Sequence, residues 1–127
     1  MEQMLQAIEA ADGVVLGSAV NYGSVTALFR MFMERLTVFS YWPWGQPLPK
    51  LRKHSSRKAV VVASAGMPRP LIPWFTEVVS PLRWAAKQLG AKPVGHLWLG
   101  PHAWQPHCRL SAPDVEHARR LGRKLAR

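Results

Sequence analysis

The chain has 127 residues, 48% hydrophobic and 19% charged, a balance that suits one folded domain with one core and excludes a disordered segment. Seventeen Lys and Arg against seven Asp and Glu give a formal net charge of +10, concentrated from Lys50 to Lys58 and from Arg119 to Arg127. No apolar run approaches the roughly 18 residues that cross a bilayer. No membrane partner is therefore expected, and the single Cys108 excludes an internal disulfide and points to the cytoplasm.

Met1 to Ala11 sets Met4, Leu5, Ile8 and Ala11 at helical spacing. With Glu2, Glu9 and no basic start, it reads as an amphipathic helix rather than a signal peptide. Asp12-Gly13 ends it. Val14 to Val20 is a valine-rich run bounded by glycines, which predicts a strand buried on both faces. Ser24 is the expected N-cap of the next helix, whose stripe of Val25, Leu28, Phe29, Phe32, Met33 and Leu36 runs to about Phe39.

From Ser40 to Pro49 three prolines exclude regular structure and leave an aromatic loop with Tyr41, Trp42 and Trp44. Two readings of it stand: a cover or partner contact, or a cluster packed beneath its own loop. Lys50 to Lys58 is a charged connector. Ala59 to Ala65 is a second buried strand, closed by Gly66-Met67-Pro68-Arg69-Pro70. Pro73 suits the first turn of a helix through Phe75, Val78, Val79, Leu82, Ala86 and Leu89 to Gly90, which Pro81 should kink or divide. Pro93 to Leu99 is the third strand, followed by Gly100-Pro101 and a loop with His102, Trp104, Pro106, His107 and Cys108. Ser111 is the expected cap of a last helix that runs to Arg127. Trp74, Trp84, Trp98 and Trp104 are expected in the core or at an interface.

Strands alternating with helices imply right-handed βαβ units and a parallel sheet with helices on both faces, that is, one α/β domain over residues 1–127. Three strands leave two edges, and an apolar strand at an edge is a template for pairing with another chain. Either the chain dimerises there, or the natural polypeptide is longer.

Open α/β sheets bind ligands outside the carboxyl ends of their strands. The first such turn holds Ser18, Ala19, Val20, Asn21, Tyr22, Gly23 and Ser24, with hydroxyls, an aromatic face and a glycine for close backbone approach. The second, Ala65, Gly66 and Met67, falls on the same rim. The plainer alternative is that both are ordinary strand-to-helix turns. The basic clusters likewise read as solvated surface or as attraction for phosphates, and nucleic acid is not expected as a partner because no motif for it accompanies the charge. The spacing of His102, His107 and Cys108 matches no ligand pattern, so no metal is expected. There is no P-loop, nucleophile elbow or paired-carboxylate motif, and no catalytic side chain stands out.

Gly17-Ser18-Ala19-Val20-Asn21-Tyr22-Gly23-Ser24 and Leu28-Phe29-Arg30-Met31-Phe32-Met33-Glu34-Arg35 resemble the flavin-binding segment of NAD(P)H-dependent FMN reductases and related flavodoxin-like flavoproteins. That segment usually reads Gly-Ser-Pro-x-Tyr-x-Gly-Ser and then Leu-Lys-x-Phe-x-Asp-Arg. Ala19 departs from its proline and Asn21 from its aromatic, which makes Tyr22 the nearest candidate to lie against a flavin ring. The resemblance implies a flavodoxin-like three-layer fold, FMN as cofactor, NADPH or NADH as electron donor, a small-molecule acceptor such as a quinone or flavin, and a homodimer or higher oligomer. It covers the second half of that fold, which implies an N-terminally truncated form with about three strands, lacking the first strand and its phosphate loop. The alternative is a non-catalytic α/β interaction module or remnant that dimerises through the exposed strand edge.

Overall fold

A computed structural model describes residues 2–48, 50–51, 56–101 and 109–127. The apolar runs form the strands and the 3.6-residue stripes form the helices, in alternation. They are α1 (Glu2–Ala10), β1 (Gly13–Ala19), α2 (Ala27–Arg35), the short pair β2 (Ser40–Tyr41) and β3 (Lys50–Leu51), β4 (Lys58–Ser64), α3 (Ile72–Phe75), α4 (Val79–Gln88), β5 (Lys92–Leu99) and α5 (Ala112–Ala126). Three strands build one sheet in the order β1-β4-β5. Both pairings are parallel, with Val14 opposite Ala59 and Ala19 opposite Ser64 on one side of β4, and Ala63 opposite Trp98 on the other.

Side chains alternate across the sheet and split the core in two. On one face Val14, Leu16, Ala59, Val61 and Ala63 meet Leu82, Ala85 and Ala86 of α4 and Leu89 just after it, and Leu5 and Ile8 of α1 and Phe29 and Phe32 of α2 close over them. On the other, Val60 and Leu97 meet Leu121 of α5. Three layers result: α1, α2 and α4, then the sheet, then α5. Helix α5 lies close because β5 presents Gly95, where a Cβ would fall 2.3 Å from Leu121 Cδ2.

Four expectations change. First, β1 is not buried on both faces. It lies at the sheet edge, where Val14 and Leu16 are 8% exposed but Val15 is 61% exposed. Among the described strands of this sheet only β4 has neighbours on both sides. Second, Ser24 does not cap α2. Thr26 does, its hydroxyl accepting from Phe29 N–H at 3.3 Å. Third, the helix predicted from Pro73 to Gly90 is divided ahead of Pro81, by the extended Thr76 that ends α3. Pro81 sits in the first turn of α4, where a missing N–H removes no helical bond.

Fourth, the aromatic loop is not a cluster packed beneath itself. Its base is clasped by the antiparallel pairing of Ser40 with Leu51 and Tyr41 with Lys50, while Trp42 is largely and Trp44 fully exposed. Of the other tryptophans, Trp98 packs against the larger core, Trp84 and Trp74 are exposed rather than in the core, and Trp104 lies outside the described residues. Ser111 caps α5 as the sequence predicts, accepting from Asp114 N–H at 3.3 Å.

Candidate functional site

Parallel strands end together, so the turns that follow β1, β4 and β5 line one rim. Val20 N–H donates to Ser64 O at 2.7 Å and Ala65 N–H to Leu99 O at 2.9 Å, which ties the three strand ends side by side. The two turns singled out in the sequence therefore share this rim, one strand apart.

Residues Asn21 to Ser24 form a tight turn. Asn21 N–H donates to Ser24 O at 2.9 Å and Ser24 N–H donates back to Asn21 O at 3.0 Å. The two residues between them have positive φ, 48° for Tyr22 and 77° for Gly23. That is the requirement of a two-residue I′ turn, which asparagine and glycine meet readily and tyrosine does not. The turn holds Tyr22 out of all protein contact, fully exposed at its tip. A bulky residue held in the left-handed region costs of order 1 kcal/mol or more and persists where the surroundings impose it. Here the imposing contacts come from the loop after β4: Glu77 N–H donates to Gly23 O at 2.8 Å, and Phe75 O lies 3.4 Å from where a Gly23 Cβ would stand.

The candidate residues divide by what their polar groups already do. Ser18 Oγ accepts from Thr26 N–H at 3.0 Å and donates to Ala19 O at 2.9 Å, so this hydroxyl fixes the start of α2. Ser24 Oγ accepts from Arg30 Nη2 at 3.1 Å. Val20 packs against the core, and Ala65 is buried with its N–H spent on Leu99. Ala19, Asn21 and Tyr22 are exposed, and Gly23 is part-exposed at the turn. Gly66 is exposed and Met67 half-buried, and their carbonyl neighbourhood is fixed by Gly100, where a Cβ would fall 2.6 Å from Met67 O and 3.0 Å from Ala65 O. Among the described residues no backbone acceptor takes the N–H of Tyr22, Gly23, Gly66 or Met67. The rim thus offers backbone donors from two turns and one free aromatic face.

Reading the sequence missed two exposed aromatic side chains in the segment that meets this turn. Trp74 and Phe75 are 84% and 67% exposed, in the short helix whose end contacts Gly23. They carry the helical spacing of core residues, so nothing local marks them as surface. The loop that carries them is anchored from below: Arg69 pairs with the buried carboxylate of Asp114, which also accepts from Ser111 Oγ at 2.6 Å. Among the described residues no group of three His, Cys, Asp or Glu is placed to hold a metal ion; His102, His107 and Cys108 lie outside them. No helix among the described residues is long and apolar enough to cross a membrane.

A family model described as flavodoxin-like fold matches residues 1–120. A curated protein named iron-sulfur flavoprotein, from Archaeoglobus fulgidus, is 28% identical over 127 residues, covering 99% of this chain and 50% of its own length. The chain therefore spans half the length of the curated relative it matches. A crystal structure titled thermophilic tryptophan halogenase, from Streptomycin violaceusniger, superposes with a TM-score of 0.58 at 16% identity, over 98% of this chain and 72% of that one. At that identity the likeness is one of fold.

Proposed function

The chain belongs to the flavodoxin-like fold family, and on that premise we propose that it binds FMN at the rim after β1 and β4 and passes reducing equivalents from NADPH or NADH to a small acceptor such as a quinone or a flavin. The observation that carries the reading is the Asn21–Ser24 turn, which holds Tyr22 at φ 48° and fully exposed on the same rim as the turn after β4, with N–H groups in both turns that no backbone acceptor among the described residues takes. The 28% identical relative named a flavoprotein supports the cofactor class. An iron–sulfur cluster is not part of the proposal, since such clusters take several cysteines and this chain has one.

The residues fit a flavin ring. A flavin presents a flat apolar face and one polar edge of carbonyls and nitrogens, and it supplies the hydride and electron chemistry when bound, leaving the protein to bind, orient and exclude water. Tyr22 would lie along the face. The N–H groups of Tyr22, Gly23, Gly66 and Met67 would donate to the polar edge, where negative charge develops on reduction. Trp74 and Phe75 would shield the opening from water.

The test is reconstitution of the purified 127-residue chain with FMN. Retained yellow colour and quenched flavin fluorescence are expected, with bleaching under anaerobic NADPH or NADH. Tyr22→Ala should weaken retention about five- to tenfold, near the ~1 kcal/mol of one aromatic contact. Colourless protein after reconstitution overturns the proposal.

A further inference from the structure

Strand β5 ends the sheet on the side away from β1. Along a strand, successive residues aim their backbone groups to alternate sides. Leu99 O accepts from Ala65 N–H, so Gly95, Leu97 and Leu99 face β4, while His96 and Trp98 turn their N–H and C=O groups outward. No strand among the described residues pairs with that outer side. Nearer its start β5 carries Pro93 and a shift in register opposite Ala59 and Val60. Both blunt an edge, so the stretch able to pair runs from Gly95 to Leu99. Cations flank it on both faces of the sheet. On α4, Arg83 Nη2 stands 3.1 Å from His96 Nδ1, and Lys87 follows one turn later on the same side. On α5, His117 acts electrostatically on the same imidazole, and Arg120 and Lys124 share its side of the helix by their spacing. Among the described residues these Arg and Lys side chains are exposed with no carboxylate partner, since Glu116 pairs with Arg119 and Arg123. At the rim end of the edge a cleft of about 370 Å³ opens beside Trp98, lined by Pro73, Thr76, Glu77, Val79 and Ser80.

We infer that the Gly95–Leu99 edge docks an extended acidic segment of a partner protein, which adds to the sheet as a further strand. Three observations converge on that occupant. The outward N–H and C=O groups of His96 and Trp98 call for a strand; a nucleic acid would answer the charge and leave those groups unmet. The flanking cations call for carboxylates, which alternate residues of a docked strand carry toward Arg83 on one face and Arg120 on the other. A second copy of this chain, of net charge +10, would instead bring like charge against like. The cleft beside Trp98 receives one apolar side chain of the segment, and Glu77 on its wall turns an acidic one away. The partner motif is therefore a run of alternating acidic residues with an apolar residue at the rim end. The inference does not depend on FMN.

Amide hydrogen exchange followed by NMR on the 127-residue chain tests it, with a synthetic peptide of alternating Glu and Val as the probe. In the free chain the amides of His96 and Trp98 should exchange fast while that of Leu97, which faces β4, stays protected. Saturating peptide should protect His96 and Trp98 as well. The same peptide N-methylated throughout keeps its charge and loses its backbone donors, and it should not bind. The Arg83→Glu, Arg120→Glu double variant changes two exposed side chains; it should keep the wild-type circular dichroism and weaken peptide binding about tenfold or more. Protection of both amides in the free chain overturns the inference, because the edge is then already covered. So does a probe that fails to protect them, or an N-methylated peptide or an oligothymidylate of equal charge that binds as well, because charge alone then accounts for binding.

Discussion

Strands β1 and β4 are both seven residues long, both valine-rich and paired to each other in register, yet they live in different surroundings. In β4, Ala59 and Val61 are fully buried and Val60 is 5% exposed; in β1, Val15 is 61% exposed. The difference is not in the residues. Helix α5 packs on β4 and β5 through Leu121 and meets β1 near Gly13, where a Cβ would fall 2.9 Å from Leu125 Cγ, while Val15 stays exposed. Composition sets what a strand can bury, and its neighbours set what it does bury.

The largest effect should come from making one substitution in both strands. Val61→Ala opens a cavity in the main core and should cost about 2–3 kcal/mol. Val15→Ala removes an exposed side chain and should stay within about 0.5 kcal/mol. Urea unfolding of the two variants at equal concentration measures the contrast. A difference under about 0.5 kcal/mol would mean that β1 is as enclosed in solution as β4.

Much of the fold is legible because it rests on local patterns. The three apolar runs appear as strands within a residue or two of their predicted bounds, and Ser111 caps its helix by a contact three residues away. What the sequence hides is decided by distant parts of the chain. Ser24 and Thr26 are equally good caps by type; Thr26 wins because Ser18 Oγ, eight residues back, takes its N–H, and because Ser24 is spent in the turn with Asn21. Arg57 reads as one charge in a basic connector. Its guanidinium in fact bonds the carbonyls of Glu9 and Ala11 at 2.8 and 2.9 Å and of Leu89 at 3.3 Å, joining the ends of α1 and α4. At the candidate site the turn after β1 is legible from its glycine and serines. The exposure of Trp74 and Phe75 is not, since it depends on what the rest of the rim leaves uncovered.

A smaller contrast sharpens the same comparison at two glycines, one on the free edge and one on the rim. At Gly100 an added Cβ meets two backbone carbonyls, Met67 O at 2.6 Å and Ala65 O at 3.0 Å, and backbone cannot swing aside as a side chain can. Gly100→Ala should therefore cost about 1–2 kcal/mol by overpacking and also lower FMN retention, because it pushes on the turn proposed to hold the ring. Gly17→Ala meets only ordinary contacts at 3.8 and 3.9 Å and should leave stability unchanged or slightly raised. Equal melting temperatures for the two variants would show that the turn after β4 yields freely and so cannot orient a ligand.

The smallest effect is a pH dependence on β5, the other edge of the sheet. Where β1 leaves its edge apolar, β5 carries His96, half-buried beside the edge-on ring of Trp98 at 5.9 Å. Burial first, then the positive charges of Arg83 and His117, holds its imidazole below the ordinary value of 6.5. The geometry agrees. Arg83 Nη2 stands 3.1 Å from Nδ1, and a guanidinium has only donors, so Nδ1 must accept and stay unprotonated. Above the ordinary value of 6.5 the imidazole is neutral in folded and unfolded chains alike, and this stabilising contribution is complete. Below it the unfolded chain takes up a proton that the native state resists, so stability falls as the pH drops toward the native value. His96→Gln keeps an acceptor for Arg83 and does not titrate. The melting temperature of the native chain should therefore lose ground to this variant between about pH 7.5 and about pH 5, whatever the shared carboxylates contribute to both. Parallel curves would mean that Arg83 does not bond Nδ1 in solution, and that β5 leaves its edge as unguarded as β1.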